Sequence, residues 1–213
     1  MITGVLFDLD GVLADTEPLH FAAARATLLD LGVNVGVEEY RVHWIAEGGG
    51  WEYACGTYGL ALGPDELRAR KAVRFRELLR DGLRERPGAR AALARLRPAF
   101  RLAVATNTVR VEADVMLARL DMAALLDVVV AREDYAEAKP APDAYLGAAA
   151  ALGLPPAACV VIEDTTRGVR AARAAGIPVI AVPHELTFDN DFGGCVRRLG
   201  SLDELTAELL RAL

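Results

Sequence analysis

Two aspartates stand one residue apart, directly after an apolar run near the start of the chain. Asp8 and Asp10 follow Val5-Leu6-Phe7 and precede Gly11. Side chains two apart on an extended strand point the same way, so we expect both carboxylates to converge at the carboxyl end of a buried strand. Carboxylates this close repel each other unless a cation lies between them or one holds a proton. The pattern fits a magnesium site with a nucleophile beside it, although a solvated Asp-x-Asp-Gly turn would give the same pattern.

Polar residues also follow three later strand-like runs. Thr106 and Asn107 follow the second run, Lys139 follows the third, and Glu163 and Asp164 follow the fourth. Separately, each of these groups is typical of a helix cap or a solvated turn. Together at one sheet edge, they would supply oxygen ligands for Mg²⁺, an anion site at a helix N-terminus, a positive charge and a carboxylate positioned to attack. That combination favours phosphoryl transfer.

The elements that position these residues alternate between strands and helices. Short apolar, β-branched runs at 102–105, 128–131, 160–162 and 179–182 predict strands, and the run before Asp8 predicts the first one. Helical patterns lie at 111–120, 143–152, 168–175 and 202–210. Strands buried on both faces and joined by helices predict an α/β fold with a doubly wound, mostly parallel, Rossmann-like sheet.

The segment between the first strand and the second has a different character. It contains no strand-like run, and we predict helices at 18–31 and 64–83 with a looser stretch through the glycines at 48–50. We therefore expect two domains, an α/β core formed by residues 1–14 and 84–213 and an all-helical cap formed by residues 15–83. An insert after the first strand sits over its carboxyl end and can serve as a lid.

Composition excludes several classes of function. The chain has 213 residues, a net charge of −6 and a pI near 5.2, with no basic stripe, so we expect no nucleic-acid partner. No apolar run reaches the length of a membrane span, and we expect a cytoplasmic monomer with no membrane partner. Cys55, Cys159 and Cys195 are odd in number and widely spaced, which favours reduced, buried fillers over disulfides or metal ligands.

The scarcity of lysine is a further clue. Lysine occurs only at Lys71 and Lys139 among 24 basic residues. A chain this rich in arginine keeps lysine, we infer, where a compact ammonium must fit a tight pocket, although chance survival would leave the same count.

The strand-end residues resemble the motifs of haloacid dehalogenase superfamily phosphatases with a helical cap. All four motifs occur in order and span essentially the whole chain. They are Asp8-Leu9-Asp10-Gly11-Val12, Thr106, Lys139 and Glu163-Asp164. The resemblance implies that Asp8 is the nucleophile, forming an aspartyl-phosphate, and that Asp10 protonates the leaving oxygen and then activates water. It also implies a phosphate site and a metal site. The implied phosphate ligands are Thr106, Lys139 and the Asn107 amide; the implied Mg²⁺ ligands are Asp8, the Asp10 carbonyl and Asp164, with Glu163 a ligand or an outer partner.

The intact Asp8-x-Asp10 pair separates the possible reactions. Dehalogenases of the superfamily do not need the second aspartate, so the pair favours phosphate esters. A phosphatase is our first hypothesis, and a phosphomutase of the β-phosphoglucomutase type is the alternative. A catalytically silent binding protein would require a broken motif, and none is visible.

The insert resembles that of sugar-phosphate enzymes, with xylulose-bisphosphate phosphatase-like proteins the nearest group. Five residues are implied to face a small phosphorylated sugar or related metabolite: Glu17, His20, Tyr40, Gly49 and Lys71. That group carries basic residues after its paired glycines, whereas this chain has Gly50-Trp51-Glu52-Tyr53. The departure argues against a second phosphate on the substrate.

Overall fold

The computed structural model describes all 213 residues, Met1–Leu213. The chain divides into two compact units, one formed by Met1–Asp15 and Arg84–Leu213 and the other by Thr16–Leu83. Asp15, which we placed in the insert, belongs to the first unit, where its main-chain N–H donates to the Arg84 carbonyl at 2.9 Å. None of the helices combines the length and the apolar character needed to cross a membrane.

A six-stranded parallel sheet forms the centre of the first unit. The strands are β1 (Gly4–Phe7), β2 (Arg101–Ala105), β3 (Val128–Val130), β4 (Cys159–Glu163), β5 (Val179–Ala181) and β6 (Arg197–Arg198). Their order is β3-β2-β1-β4-β5-β6, and every neighbouring pair is parallel. The predicted α/β fold with a parallel sheet is confirmed. Because β1 lies between β2 and β4, the polar residues that follow these three strands meet at one edge.

Five helices belong to this unit, four before or between the strands and one after β6, and each has buried residues. They are α5 (Ala89–Leu96), α6 (Arg110–Arg119), α7 (Asp143–Ala151), α8 (Thr166–Ala174) and α9 (Ala207–Arg211). Leu6 and Val161 of the sheet share a buried cluster with Tyr145 and Ala148 of α7 and Ala172 of α8. This packing fixes α7 and α8, the helices that follow β3 and β4.

Three elements of this unit differ from the sequence analysis. We did not predict α5, although Ala92, Leu93 and Leu96 lie on one helical face and are fully buried. We also did not predict β6, because an exposed edge strand made of two arginines carries no apolar signal. The predicted helix at 202–210 is instead a 3₁₀ turn (Leu202–Glu204) followed by the separate helix α9.

The second unit is entirely helical. It contains α1 (Glu17–Leu29), α2 (Val37–Tyr40), a π-helical turn (Arg41–Ala46), α3 (Gly50–Tyr58) and α4 (Pro64–Gly82). Helices α1 and α4 pack against each other, and Gly82 approaches Leu19 so closely that a Cβ would lie 2.8 Å from its Cδ2. The stretch that we described as loose is largely helical. Residues 50–53 form the first turn of α3, where Trp51 is buried and Glu52 pairs with Arg68.

All three cysteines are free thiols, but they are not all buried fillers. Cys159 is fully buried in β4, whereas Cys55 and Cys195 are half-buried. Our prediction of buried cysteines was therefore wrong for two of the three, because Cys55 and Cys195 do not lie in the central strands.

Candidate active site

The carboxyl edge of the sheet gathers acidic residues from two neighbouring strands. Asp8 directly follows β1, Glu163 is the last residue of β4, and Asp164 follows it. All three are buried, and each offers a carboxylate oxygen such that the three oxygens lie within 4.8 Å of one another. Burial raises the pKa of Asp8 well above its ordinary value, and the neighbouring carboxylates of Glu163 and Asp164 raise it further.

Lys139 supplies the positive charge in this acidic cluster. Its Nζ donates to Asp8 Oδ1 at 2.5 Å, to Glu163 Oε1 at 3.0 Å and to the Tyr145 hydroxyl at 2.7 Å. Burial alone would lower the pKa of Lys139, but the Asp8 and Glu163 carboxylates raise it above its ordinary value, so the ammonium stays charged. An ammonium has three N–H donors. All three are directed at protein groups, so binding a phosphate oxygen would require Lys139 to give up one of these bonds.

Glu163 holds Lys139 and is itself fixed by hydrogen bonds on both oxygens. Oε1 accepts from Lys139 and from the Tyr145 hydroxyl at 2.8 Å. Oε2 accepts from the main-chain N–H groups of Asp164 and Thr165, at 2.9 and 3.0 Å, and from the Thr165 hydroxyl at 3.0 Å. Burial raises the pKa of Glu163, but Lys139 and these hydrogen bonds lower it below its ordinary value overall. With both oxygens engaged, Glu163 suits an outer partner better than a direct metal ligand.

Asp10 lies apart from the buried carboxylate cluster. Its Oδ2 accepts from the Thr108 hydroxyl at 2.5 Å and lies 3.4 Å from Thr106 Oγ1. We expected Asp10 to point the same way as Asp8 because both would lie on one strand. Instead, β1 ends at Phe7 and the chain then turns, with the Gly11 N–H donating to the Ala14 carbonyl. Asp10 is half-exposed, whereas Asp8 is buried. The two aspartates therefore occupy different environments, as two different chemical roles require.

The segment after β2 connects Asp10 to Lys139. We expected Thr106 and Asn107 at a helix N-terminus, but α6 begins only at Arg110, so this expectation was wrong. The two residues instead lie in a loop held by side chains. Asn107 Oδ1 accepts from the Lys139 main-chain N–H at 3.1 Å and lies 2.8 Å from the Tyr135 hydroxyl. Asn107 thereby fixes the backbone that carries the catalytic-site ammonium.

Four contacting residues were missed by sequence reasoning. Thr108 was visible as a hydroxyl directly after Thr106, and His184 lies three residues beyond β5, so both could have been found at strand ends. Tyr145 gave no signal, because it lies inside the apolar pattern of α7 and only its hydroxyl reaches the cluster. Tyr135 also gave no signal, because it lies in the connection between β3 and α7, where the sequence shows no motif around it.

The predicted substrate-facing residues of the insert form two small groups. His20 Nδ1 contacts Lys71 Nζ, and the His20 ring stacks on Phe75 with centroids 3.9 Å apart. Glu17 Oε2 lies 3.4 Å from the Tyr40 hydroxyl. Gly49 belongs to neither group; it precedes α3, with open space where a Cβ would stand.

Gly168 provides a test of how tightly Glu163 is confined. A Cβ at Gly168 would lie 1.6 Å from Glu163 Oε1, whereas a Cβ at Gly147, also helical, would meet its nearest neighbour at 3.8 Å. We predict that Gly168→Ala displaces Glu163 and lowers the free energy of unfolding by about 1–3 kcal/mol. Gly147→Ala should be neutral or stabilising by up to about 1 kcal/mol. Urea unfolding of both variants measures the difference, and equal effects would contradict the confinement of Glu163.

Lys139 provides a test of the charge balance. In Lys139→Met without metal, the buried carboxyls lose their cation, and their pKa values rise above the unfolded values of about 4. A carboxyl whose pKa rises on folding holds its proton in the folded state, so the variant loses stability as pH increases. We predict a loss of about 3–5 kcal/mol at about pH 8 and a smaller loss at about pH 5.

Chemical denaturation in EDTA at both pH values measures this loss. Arg90→Met, which removes an exposed arginine paired with Glu85, serves as the control and should show little loss at either pH. A deficit in Lys139→Met that is equal at both pH values would contradict the predicted charge balance.

Comparison with known proteins identifies the family. The family described as haloacid dehalogenase-like hydrolase matches residues 2–176. The protein CbbY of Rhodobacter capsulatus is 33% identical over 224 residues, covering 100% of this chain and 99% of the relative. A phosphorylated carbohydrates phosphatase of Thermotoga maritima is 34% identical over 185 residues, covering 85% and 86%. The crystal structure of CbbY from Rhodobacter sphaeroides in complex with phosphate matches with a TM-score of 0.84 and 32% identity, covering 100% of both chains. The chain therefore belongs to the haloacid dehalogenase-like hydrolases.

Proposed function

We propose that the protein is a Mg²⁺-dependent phosphatase that hydrolyses a small phosphorylated sugar or related metabolite through an aspartyl-phosphate on Asp8. The observation that carries the proposal is the setting of Asp8, whose carboxylate lies at the end of β1, held at Oδ1 by Lys139 among further carboxylates. The relative from Thermotoga maritima, named for phosphorylated carbohydrates, supports the substrate class.

The donor set fits Mg²⁺. Mg²⁺ prefers carboxylate and carbonyl oxygens, and this edge of the sheet offers buried carboxylates. Three ionised carboxylates exceed the single ammonium of Lys139 by two negative charges, which one divalent cation would balance. Asp8 and Asp164 would hold the ion together with the Asp10 carbonyl, and Glu163, engaged at both oxygens, would act through Lys139. When bound, the ion withdraws charge from the phosphoryl oxygens.

Asp8 is the nucleophile of the proposed first step. One carboxylate oxygen of Asp8 attacks phosphorus, and the hydrogen bond from Lys139 to Oδ1 orients the carboxylate for this attack. The ester P–O bond breaks, and Asp10 gives its proton to the leaving sugar oxygen. The Thr108 hydroxyl orients the Asp10 carboxyl for this transfer.

The second step releases phosphate. Asp10, now ionised, takes a proton from a water molecule, and the water oxygen attacks phosphorus while the bond to Asp8 breaks. The Thr106 hydroxyl and the main-chain N–H of Asn107 would hold the phosphoryl oxygens. Lys139 would contribute charge and fix the nucleophile, consistent with its three protein acceptors.

The helical unit would act as a cap that selects the substrate. Its polar groups, His20 with Lys71 and Glu17 with Tyr40, offer hydrogen bonds suited to sugar hydroxyls. Glu52, near the glycine run, is paired with Arg68. Residues 50–53 carry no basic side chain that could bind a second phosphate, so we expect a substrate with a single phosphate group.

Phosphate release from a panel of sugar mono- and bisphosphates, with and without Mg²⁺, tests the proposal. We predict Mg²⁺-dependent release concentrated on monophosphates. Asp8→Asn should lower kcat/KM by about 10⁴-fold, because an amide cannot act as the nucleophile. Asp114→Asn, an exposed aspartate on α6, should retain activity. Isomerisation of glucose 1-phosphate without phosphate release would favour the phosphomutase, and an Asp8→Asn variant that behaves like the wild type would contradict the chemistry.

Asp10→Asn tests the separate role of Asp10. We predict a loss in kcat/KM of about 10²–10⁴-fold with a sugar phosphate, whose alkoxide needs a proton to leave. With p-nitrophenyl phosphate the loss should be much smaller, because its phenolate leaves without one. Equal losses with both substrates would exclude Asp10 as the general acid.

A further inference from the structure

A buried histidine outside the four motifs contacts the metal-site aspartate. His184 follows β5, and its Nε2 lies 3.0 Å from Asp164 Oδ2. Both side chains are almost completely buried, with exposed fractions of 5% and 0%. The proposed reaction uses neither the ring nor its proton, so the contact needs another explanation.

The tautomer of His184 is set by its own turn. The Leu186 N–H donates to Nδ1 at 3.2 Å, so Nδ1 acts as an acceptor and carries no proton. The ring proton of the neutral imidazole therefore lies on Nε2, where it is donated to Asp164 Oδ2. The turn is closed at both ends, because the His184 N–H donates to Thr187 Oγ1 at 3.0 Å and the Thr187 N–H donates to the His184 carbonyl at 2.9 Å.

The backbone of Gly11 packs closely against the contact between Asp164 and His184. A Cβ at Gly11 would lie 2.3 Å from Asp164 Oδ2 and 3.0 Å from His184 Nε2. Gly11 has a φ of +79°, which favours glycine as well. The contact between Asp164 and His184 therefore lies between the Gly11 turn and the turn after β5, and the tight packing favours one orientation of the Asp164 carboxylate.

We propose that His184 is a positioning residue for the metal site, holding the Asp164 carboxylate in the orientation that binds Mg²⁺. The inference rests on the proposed function for the identity of the ion. A hydrogen bond from the neutral Nε2–H fixes the rotation of the Asp164 carboxylate plane. Binding of Mg²⁺ then does not carry the entropy cost of immobilising this side chain. In this role His184 would act through its contact with Asp164.

Two substitutions separate the two contacts of the ring. In His184→Asn the side-chain oxygen can take the place of Nδ1 and accept from Leu186, but the side chain is too short to donate to Asp164. In His184→Gln the side-chain amide reaches the position of Nε2 and restores the donor. We expect His184→Asn to weaken Mg²⁺ binding by about 10–100-fold and His184→Gln to retain most of the affinity.

Calorimetric titration of the metal-free full chain with Mg²⁺ alone measures these affinities without reference to activity. Phe188→Leu, which changes an exposed side chain in the same segment, is the control and should bind Mg²⁺ nearly as the wild type does. The inference would be overturned if His184→Asn bound Mg²⁺ as tightly as the wild type, or if the Asn and Gln variants lost equal affinity. It would also be overturned if the wild type bound no Mg²⁺.

A second measurement needs no substitution. Nitrogen-detected NMR of the histidine rings reports the tautomer directly, and we expect His184 to be protonated at Nε2 and its signals to shift when Mg²⁺ is added. Protonation at Nδ1 instead would overturn the inference. A protein that binds Mg²⁺ in this His184-dependent way yet hydrolyses no phosphate ester would refute the proposed function alone, whereas an active phosphatase whose Mg²⁺ affinity ignores His184 would refute this inference alone.

Discussion

One ammonium among three buried carboxylates is the interaction on which the site depends. Removing these charges from water is costly, and attraction offsets the cost only where geometry and hydrogen bonding are nearly complete. Lys139 meets this condition through its bonds to Asp8, Glu163 and Tyr145. Much of the surrounding structure maintains those bonds: Asn107 holds the Lys139 backbone, and the absence of a side chain at Gly168 gives Glu163 its space.

Asp8 and Glu163 both contact Lys139, but their pKa values shift in opposite directions. Glu163 also accepts from Tyr145 and from the turn that begins α8, and its pKa falls below the ordinary value. Asp8 lacks that set of donors, and burial raises its pKa despite Lys139. The charge on Asp8 is therefore the less stabilised of the two. A carboxylate in that condition gains most from a divalent cation and from transfer of its electron pair to phosphorus, which agrees with its proposed role as nucleophile.

The sequence predicted the residues whose position follows from the topology of a parallel sheet. Asp8, Thr106 and Asp164 each follow a buried strand, and the carboxyl ends of β1, β2 and β4 lie side by side. Tyr145 gave no such signal, and the place of His184 after β5 did not reveal its role. The first reaches the site from inside an apolar helix, and the second takes its role from a turn whose hydrogen bonds no periodicity reveals.

The insert was predicted in outline but not in detail. Its long helices α1 and α4 have clear boundaries, including a proline in the first turn of each. Glycines at 48–50 suggested a loop, whereas aromatic contacts such as that of Trp44 with Trp51 stabilise helical turns on both sides of them. Tertiary packing of aromatic rings therefore extends helical structure up to the glycines, whereas Gly48 and Gly49 themselves lie in an irregular connection.

Detection of a phosphorylated enzyme tests whether Asp8 is the nucleophile. The protein would be mixed with a sugar monophosphate that it hydrolyses, quenched in acid during turnover, and digested, and the peptide that contains residue 8 would be analysed by mass spectrometry. We expect an acid-stable, base-labile phosphoryl group on Asp8, which disappears on dilution into substrate-free buffer before the quench. Continuing phosphate release with no phosphoryl group on the peptide, or with the group on another residue, would contradict it.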